Sequence, residues 1–239
     1  MNTKAIGAAV TGARHLRTQR NGQDAVATWV RGDAACVVVC DGCGSGSSSE
    51  VGARLGAQLF VAAVAAHIEH GLEACMVAAR AEVVRAIGAL IERMPGEPVA
   101  ALHDHFLFTV IAAASVGSEA IVYAIGDGAY AIDGRTRVLG PFADNQPPYL
   151  AYDLTGDARP AHVERASCEA IVIATDGAEA LDLADFTAAR FATHPDALRR
   201  HLALLAHTPE KVDWDARRVV RVPALLQDDC AIGVLRVTP

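Results

Sequence analysis

A continuous apolar run over residues 35–40 dominates the hydrophobic pattern of the chain. Its sequence, Ala-Cys-Val-Val-Val-Cys, lacks alternating polar positions and is rich in β-branched side chains, which is typical of a strand buried on both faces. The segment Ala25 to Arg31 precedes it and also reads as a strand, with Gly32-Asp33 between the two. A short Gly-containing turn between two strands predicts a hairpin, so we expect this sheet to be antiparallel.

Two long segments with helical periodicity follow, from Glu50 to about His70 and from Leu72 to Met94. A glycine separates them, and a Met-Pro-Gly sequence ends the second. Ser47 and Glu50 have the spacing of a capping box, in which the Ser47 hydroxyl accepts the backbone N–H of Glu50. Charged positions along both segments indicate one exposed face each, so we assign both helices a packing role.

The second half of the chain predicts further strands, short helices and one long irregular segment. The predicted strands cover residues 106–114, 121–125, 129–132, 170–174 and 230–237, the helices cover 185–193 and 195–207, and 214–222 is a helix or a connector. The irregular segment, Gly140 to Pro160, is rich in proline, and a loop of that length in a compact domain is often functional. Strands and helices occur in blocks without a repeat or linker, which predicts one α+β domain over residues 1–239.

Composition narrows the possible functions. The formal net charge of −7 disfavours non-specific binding to nucleic acid or to an anionic membrane, and 52% hydrophobic residues suffice for a large core. The longest apolar helical run, Leu55 to Ala66, is interrupted by Gln58, so we expect no transmembrane span. Six cysteines without disulfide spacing favour a reducing, cytoplasmic location.

Acidic residues recur where predicted strands end or begin. Asp41, Asp127 and Asp176 each follow an apolar strand and stand beside glycine, and the pair Asp228-Asp229 precedes the last strand. One such Asp-Gly is usually a turn, but four acidic strand ends in one chain are harder to dismiss. Carboxylates gathered at one place repel each other unless cations neutralise them. The residues therefore predict a site for two or more divalent metal ions.

Other polar groups leave alternatives open. Arg14, Arg17 and Arg20, with His15 among them, form either a solvated surface segment or a phosphate-binding one, because guanidinium groups match phosphate geometry. His103-Asp104-His105 is better explained as the entry to a strand than as a metal pair. Cys40 and Cys43 form an isolated C-x-x-C, which is weak support for zinc or redox chemistry.

The order of motifs resembles that of the metal-dependent protein serine/threonine phosphatases of type 2C, the PPM family, in its bacterial single-domain branch. The motifs are Gln23-Asp24, Asp41-Gly42-x-Gly44, Gly126-Asp127, Thr175-Asp176-Gly177 and Asp228-Asp229. The resemblance extends from about Gly12 to Val237. It implies a four-layer α-β-β-α sandwich, with two mainly antiparallel sheets packed face to face and helices outside. It also implies that the Gly140 to Pro160 segment is a flap beside the active site.

The resemblance implies a role for each matched position. Asp41 would bridge two Mg²⁺ or Mn²⁺ ions, with the Gly42 carbonyl on one of them, and Asp176 and Asp228 would complete the other shell. Asp127 would join Asp176 at a weaker third site, and Gln23 and Asp24 would lie near the second metal. Asp41 and Asp176 are thus the expected catalytic carboxylates, with His15 and Arg17 as candidate phosphate contacts.

The implied activity is hydrolysis of phosphoserine or phosphothreonine in proteins by a metal-activated water. The implied partners are a phosphoprotein substrate and a cognate serine/threonine kinase that catalyses the reverse modification. One alternative is a binding or regulatory module on the same fold with little or no turnover, because Gln23 replaces a common glutamate and the flap is short. Another is a hydrolase of a different phosphate ester or a thiol-based protein. Replacing Asp41 or Cys43 with alanine separates the metal mechanism from the thiol one.

Overall fold

Within residues 3–237, which the computed structural model describes, the chain forms twelve β-strands and six α-helices. The strands are β1 (Lys4–Val10), β2 (Ala25–Arg31), β3 (Ala34–Gly42), β4 (Phe108–Val116), β5 (Glu119–Ile125), β6 (Gly128–Ile132), β7 (Arg135–Leu139), β8 (His162–Ser167), β9 (Ala170–Ala174), β10 (Glu210–Asp213), β11 (Arg218–Arg221) and β12 (Cys230–Arg236). The helices are α1 (Ala13–Thr18), α2 (Ser49–His67), α3 (Leu72–Ile91), α4 (Pro98–Ala101), α5 (Ala189–Thr193) and α6 (Pro195–Ala206).

Two five-stranded sheets form the centre of the protein. One has the strand order β1-β12-β9-β6-β7 and the other β2-β3-β4-β5-β8, and neighbouring strands are antiparallel throughout. Helices α2 and α3 cover the outer face of the second sheet, and α5 and α6 cover the first. The four-layer α+β sandwich is therefore confirmed.

Strand β3 shows why the apolar run of residues 35–40 lacks polar positions. Cys36 and Val38 join the core beneath α2 and α3, whereas Val37 and Val39 pack against the opposite sheet. Both faces of the strand are buried, so each position requires an apolar side chain. The strand ends at Asp41 and Gly42, where the two sheets open to solvent.

Several local predictions are wrong in detail. Helix α2 begins at Ser49 with Ser48 as its N-cap, so the predicted Ser47–Glu50 capping box does not form; instead the Glu50 carboxylate accepts a hydrogen bond from Asn21 at 2.8 Å. The segment predicted as helix or connector, 214–222, contains β11 and the turn that joins it to β10. The prediction that His103–His105 leads into a strand is confirmed, but the stretch lies in a π-helical turn, Leu102–Phe106, and β4 begins at Phe108 rather than at Phe106.

Helix α2 also departs from the expectation about membrane spans. Together with the following turn, the segment Ser49–His70 is long and apolar enough to cross a membrane by length and composition, despite Gln58. Half of its most apolar window is buried inside the protein, and residues such as Phe60 and Val64 pack in the core. A core helix of this kind satisfies the same length and composition test.

Candidate metal centre

The antiparallel pairing brings the acidic strand ends to one edge of the sandwich. Ala25 at the start of β2 pairs with Cys40 near the end of β3, so Asp24 and Asp41 become neighbours. Ala174 at the end of β9 pairs with Ile232 near the start of β12, which places Asp176 beside the residues that precede β12. Motifs far apart in sequence therefore meet because the end of one strand lies next to the start of its partner.

A polar cavity of about 170 Å³ lies at this edge. All seven residues predicted as metal ligands line it, namely Gln23, Asp24, Asp41, Gly42, Asp127, Asp176 and Asp228. Asp229, Thr109, Cys43, Gly44, Pro147 and Tyr149 complete the wall. Pro147 and Tyr149 come from the Gly140 to Pro160 segment, which lies beside the acidic residues as the family resemblance implied.

Two glycines allow the cavity to form. Gly126 has a φ of +107°, and a Cβ there would lie 2.5 Å from the Thr109 side chain, so only glycine turns the chain toward Asp127 without a clash. At Gly42, a Cβ would lie 2.9 Å from the Ser49 hydroxyl and from the Gln23 carbonyl oxygen. Both glycines therefore occupy positions where the surrounding atoms leave no room for a side chain.

The carboxylates crowd one another strongly. Burial raises the pKa of Asp24 to about 8; the Thr175 hydroxyl, which donates to Asp24 Oδ2 at 2.5 Å, opposes this, and the negative charges of Asp229 and Asp176 add to it. Burial, followed by the charges of Asp24 and Asp176, raises the pKa of Asp41 well above its usual value. Burial and the charge of Asp176 raise the pKa of Asp127 to about 6.

This donor set fits a hard divalent cation. Carboxylate, amide and backbone carbonyl oxygens are the ligands that Mg²⁺ and Mn²⁺ prefer, and a cation would relieve the repulsion that raises these pKa values. Gln23 fits as well, because its Nε2 donates to Ser49 Oγ at 2.5 Å and to the Cys43 carbonyl at 3.3 Å. Those contacts use the amide hydrogens and leave Gln23 Oε1 to face a cation or a water.

We expect metal binding to strengthen with rising pH, because a cation must displace the protons held by Asp24 and Asp127. With pKa values raised to about 8 and about 6, the dissociation constant for Mn²⁺ should fall by roughly tenfold or more between pH 6 and pH 8. Calorimetric titration at several pH values measures it. A pH-independent affinity would contradict the protonated state of these carboxyl groups.

The raised pKa of Asp24 also predicts how the stability of the metal-free protein depends on pH. In the folded state Asp24 keeps its proton up to about pH 8, whereas in the unfolded chain it releases that proton near pH 4. Asp24 therefore contributes fully to the free energy of unfolding below about pH 4, and this contribution is lost as pH rises through about 8. Thermal unfolding in chelator should therefore occur at lower temperature at pH 8 than at pH 5. Added Mn²⁺ should reverse the trend.

Asp229 holds the site together, a role that the sequence did not reveal. Its buried carboxylate accepts the backbone N–H of Gly12 at 2.8 Å and that of Gln23 at 2.6 Å, and it bonds His15 Nδ1 at 2.8 Å. It thereby joins α1, the approach to β2 and the approach to β12. Backbone N–H partners leave no mark in a sequence, so the pair Asp228-Asp229 pointed only to an acidic site.

The predicted phosphate contacts separate in space. Arg14 Nη1 lies 3.7 Å from Asp228 Oδ2 at the rim of the acidic cavity, and Arg20 donates to the Gly46 carbonyl at 2.7 Å. His15 is bound to Asp229, and its ring lies within 4.8 Å of ligand atoms of Asp228 and Asp229, a group that could itself hold a metal ion. Arg17 lines a different cavity on the far side of α1, so the structure does not bring it to the acidic residues.

The two cysteines of the C-x-x-C occupy different environments. Cys40 is fully buried in the core beneath α2, and burial followed by the charges of Asp24 and Asp41 raises the pKa of its thiol well above the usual value. Cys43 lies in the cavity wall, where partial burial raises its pKa but hydrogen bonds involving Ser45 and Tyr149 outweigh this and leave it lowered. All six cysteines are unpaired, so this pair forms no disulfide.

Comparison with known proteins gives one family match. The family model described as protein phosphatase 2C matches residues 11–219. No curated protein sequence matches the chain significantly. Three similar solved structures illustrate the structural likeness: the serine/threonine phosphatase Stp1 from Staphylococcus aureus (12% identity, TM-score 0.61, 100% of this chain and 96% of that one), the serine/threonine phosphatase of S. agalactiae (16%, 0.60, 99% and 100%) and RsbX in complex with magnesium (11%, 0.53, 99% and 96%). At these identities the structures support the fold alone.

Proposed function

The chain belongs to the protein phosphatase 2C family, and from that membership we propose that it is a metal-dependent phosphatase of phosphoserine and phosphothreonine in proteins. The observation that supports this best is the convergence of seven oxygen-bearing residues, named from the motifs, around one cavity. The alternative, hydrolysis of a small phosphate ester, has less support, because the family that the chain matches is described as a protein phosphatase.

We propose that Asp41, Asp176 and Asp228 hold two Mg²⁺ or Mn²⁺ ions together with the Gly42 carbonyl. Asp127, which shares the wall with Asp176, supplies a weaker third site, and Gln23 and Asp24 complete the surroundings. When bound, such ions polarise phosphate oxygens and supply an activated water as the nucleophile.

The chain's own residues orient this chemistry. Thr175 fixes Asp24 by donating from its hydroxyl while it accepts the backbone N–H of Ala231 at 2.9 Å. Asp229 fixes the approach to Gln23 through the Gln23 N–H. Arg14 is the basic residue at the rim and has 63% of its side chain exposed, so its guanidinium is available to a phosphate that enters from solvent. These contacts position the ligands and the substrate before reaction.

Replacing Arg14 with alanine should raise KM for an aryl phosphate by about 10- to 100-fold, the value of a charge-assisted hydrogen bond to phosphate. Its ion pair with Asp228 is exposed, so the free energy of unfolding should change little. Steady-state kinetics measure the change, with Arg20→Ala as the matched control, because Arg20 is committed to the Gly46 carbonyl. The phosphate contact would belong elsewhere if Arg20→Ala alone raised KM.

The proposed function is tested by phosphate release from a phosphothreonine peptide and from an aryl phosphate, with Mn²⁺, with Mg²⁺ and with chelator. Metal-dependent multiple turnover of the peptide is the expected result. Turnover that persists in chelator would contradict a metal mechanism.

A regulatory module on the same fold is the second candidate. Gln23 favours it, because a neutral amide stands where a carboxylate would add charge to the metal site, and its Nε2 is held by Ser49. This candidate predicts that Mn²⁺ binds in a calorimetric titration while neither substrate is hydrolysed.

We propose a cytoplasmic location and a serine/threonine kinase as the opposing enzyme. The six unpaired thiols are consistent with a reducing compartment. Co-purification of a kinase whose phosphorylated product this protein dephosphorylates would support the kinase assignment. Recovery of the protein in a periplasmic or secreted fraction would contradict the cytoplasmic location.

A further inference from the structure

A two-stranded hairpin, β10–β11, stands apart from both five-stranded sheets. The hairpin and the irregular segment that follows it expose six large apolar side chains: Val212, Trp214, Val219, Val220, Val222 and Leu225. Trp214 is the most exposed of them, at 81%. Val212 and Val219 pair directly across the two strands, so their side chains share one face of the hairpin. Exposed apolar side chains grouped in this way commonly mark an interaction surface. We name this hairpin, together with α1, the docking surface.

A cavity of about 520 Å³ lies between α1 and the base of the hairpin. Arg17, His207 and Arg221 line it together with Leu16 and Pro223. Arg221 pairs with Glu210 at 2.8 Å, but Arg17 makes no ion pair within residues 3–237. Glu210 also lines the cavity, which therefore offers Arg17 as a basic group without an ion pair beside the Arg221–Glu210 pair and apolar walls.

The docking surface is positively charged on a negatively charged protein. Residues 13–18 and 210–221 contain six basic and three acidic side chains, a net charge of +3, whereas the whole chain carries −7. This surface would attract an acidic segment, and a net-acidic partner would be repelled by most of the remaining protein. A two-fold contact between copies of this chain would oppose two positive surfaces, which disfavours self-association.

The docking surface adjoins the acidic cavity directly. The N–H groups of Ala13 and Arg14 donate to the carbonyls of Leu226 and Gln227 at 3.1 and 3.0 Å. Gln227 lines the basic cavity and the next residue, Asp228, lines the acidic one. From Gly12 to Arg17 the helix rises about 7.5 Å, a distance that an extended peptide covers in about two or three residues.

We propose that the docking surface binds an acidic, partly apolar segment of the phosphoprotein substrate, a few residues from the phosphorylated side chain. This inference rests on the proposed function, whose substrate class it narrows. Acidic side chains of the segment meet Arg221 and Arg17, and an apolar side chain packs on Trp214. The phosphorylated residue then reaches the cavity that contains Asp41.

Two phosphothreonine peptides test the proposal. They differ only at three positions on one side of the phosphothreonine, which are Asp or Glu in the acidic peptide and Asn or Gln in the neutral one. For the wild-type protein we expect KM to be about tenfold lower for the acidic peptide, and the difference to shrink at high salt. Arg221→Glu and Trp214→Ala should each reduce the preference while turnover of an aryl phosphate stays unchanged. Arg85→Glu on α3 is the matched control, since Arg85 is exposed on the helices that cover the other sheet.

Binding of a fluorescein-labelled acidic peptide, measured by anisotropy in chelator, separates this proposal from the proposed function. If no substrate is turned over, the phosphatase assignment fails, but peptide binding that Arg221→Glu weakens and Arg85→Glu preserves still supports the docking surface. Equal KM values for the two peptides would overturn the docking proposal even in an active phosphatase. A dimer in solution that Trp214→Ala dissociates would also overturn it, and would assign the surface to a second copy.

Discussion

Asp41→Asn should lower kcat for metal-dependent phosphate release by roughly 1,000-fold, the scale for removing a charged group at a reacting centre. The substitution preserves size, so the loss reports charge. Burial, followed by the charges of Asp24 and Asp176, raises the pKa of Asp41, so this carboxylate lies within the acidic group that we propose holds the metal ions. Initial rates in saturating Mn²⁺ measure the effect, with Asp185→Asn, an exposed carboxylate on the outer layer, as the control.

The folded state should survive this change. Burial and the charges of Asp24 and Asp176 disfavour the ionised form of Asp41, and asparagine has no ionised form, so metal-free Asp41→Asn should unfold at the same or a higher temperature than the wild type at pH 8. Calorimetry in chelator separates the two effects. A variant that retains wild-type turnover would refute the role of Asp41, and one that unfolds at lower temperature would show that its charge is structurally required.

Asp229→Ala should lower the free energy of unfolding by about 3–5 kcal/mol, the range for removing one partner of a buried charged network. The buried carboxylate accepts two backbone N–H groups and bonds His15, and alanine would leave those donors unpaired. Denaturant unfolding in chelator measures the loss. The neighbouring Asp228→Ala is the matched control, because the Asp228 side chain is 55% exposed and its ion pair with Arg14 contributes little.

The two neighbouring substitutions should differ in a second measurement. Asp228→Ala should leave stability within about 1 kcal/mol of the wild type and weaken Mn²⁺ binding, because Asp228 faces the cavity. Asp229→Ala should lower stability whether or not metal is present. Equal losses of stability in the two variants would contradict the anchoring role of Asp229.

The sequence revealed the parts of the fold whose signals are local. The unbroken apolar run of β3 and the long periodic segments of α2 and α3 need no distant partner to be recognised, and the structure contains all three. Strand β1 escaped notice because its sequence, rich in Ala and Gly, has low intrinsic strand preference and depends on pairing with β12. The hairpin β10–β11 escaped because its short strands are exposed on both faces and show no alternation.

The candidate site was more predictable than its surroundings. Asp41 lies at the end of β3 and Asp127 follows β5; both strands pair with β4 and therefore end at the same edge of their sheet, and Asp176 joins them from β9 of the other sheet. The arginines could not be ranked, because their placement depends on α1, a short helix without its own sequence signal that orients Arg14 and Arg17 toward different cavities. Tyr149 could not be named, because the irregular segment that carries it has no periodicity.

The most direct test of the metal centre is anomalous diffraction from crystals soaked in Mn²⁺. Anomalous peaks should lie in the acidic cavity, with carboxylate oxygens of Asp41 and Asp176 at about 2.0–2.3 Å from the ions. They should disappear in Asp41→Asn crystals. Peaks confined to the group of His15, Asp228 and Asp229, or none at all, would contradict a metal centre built around Asp41.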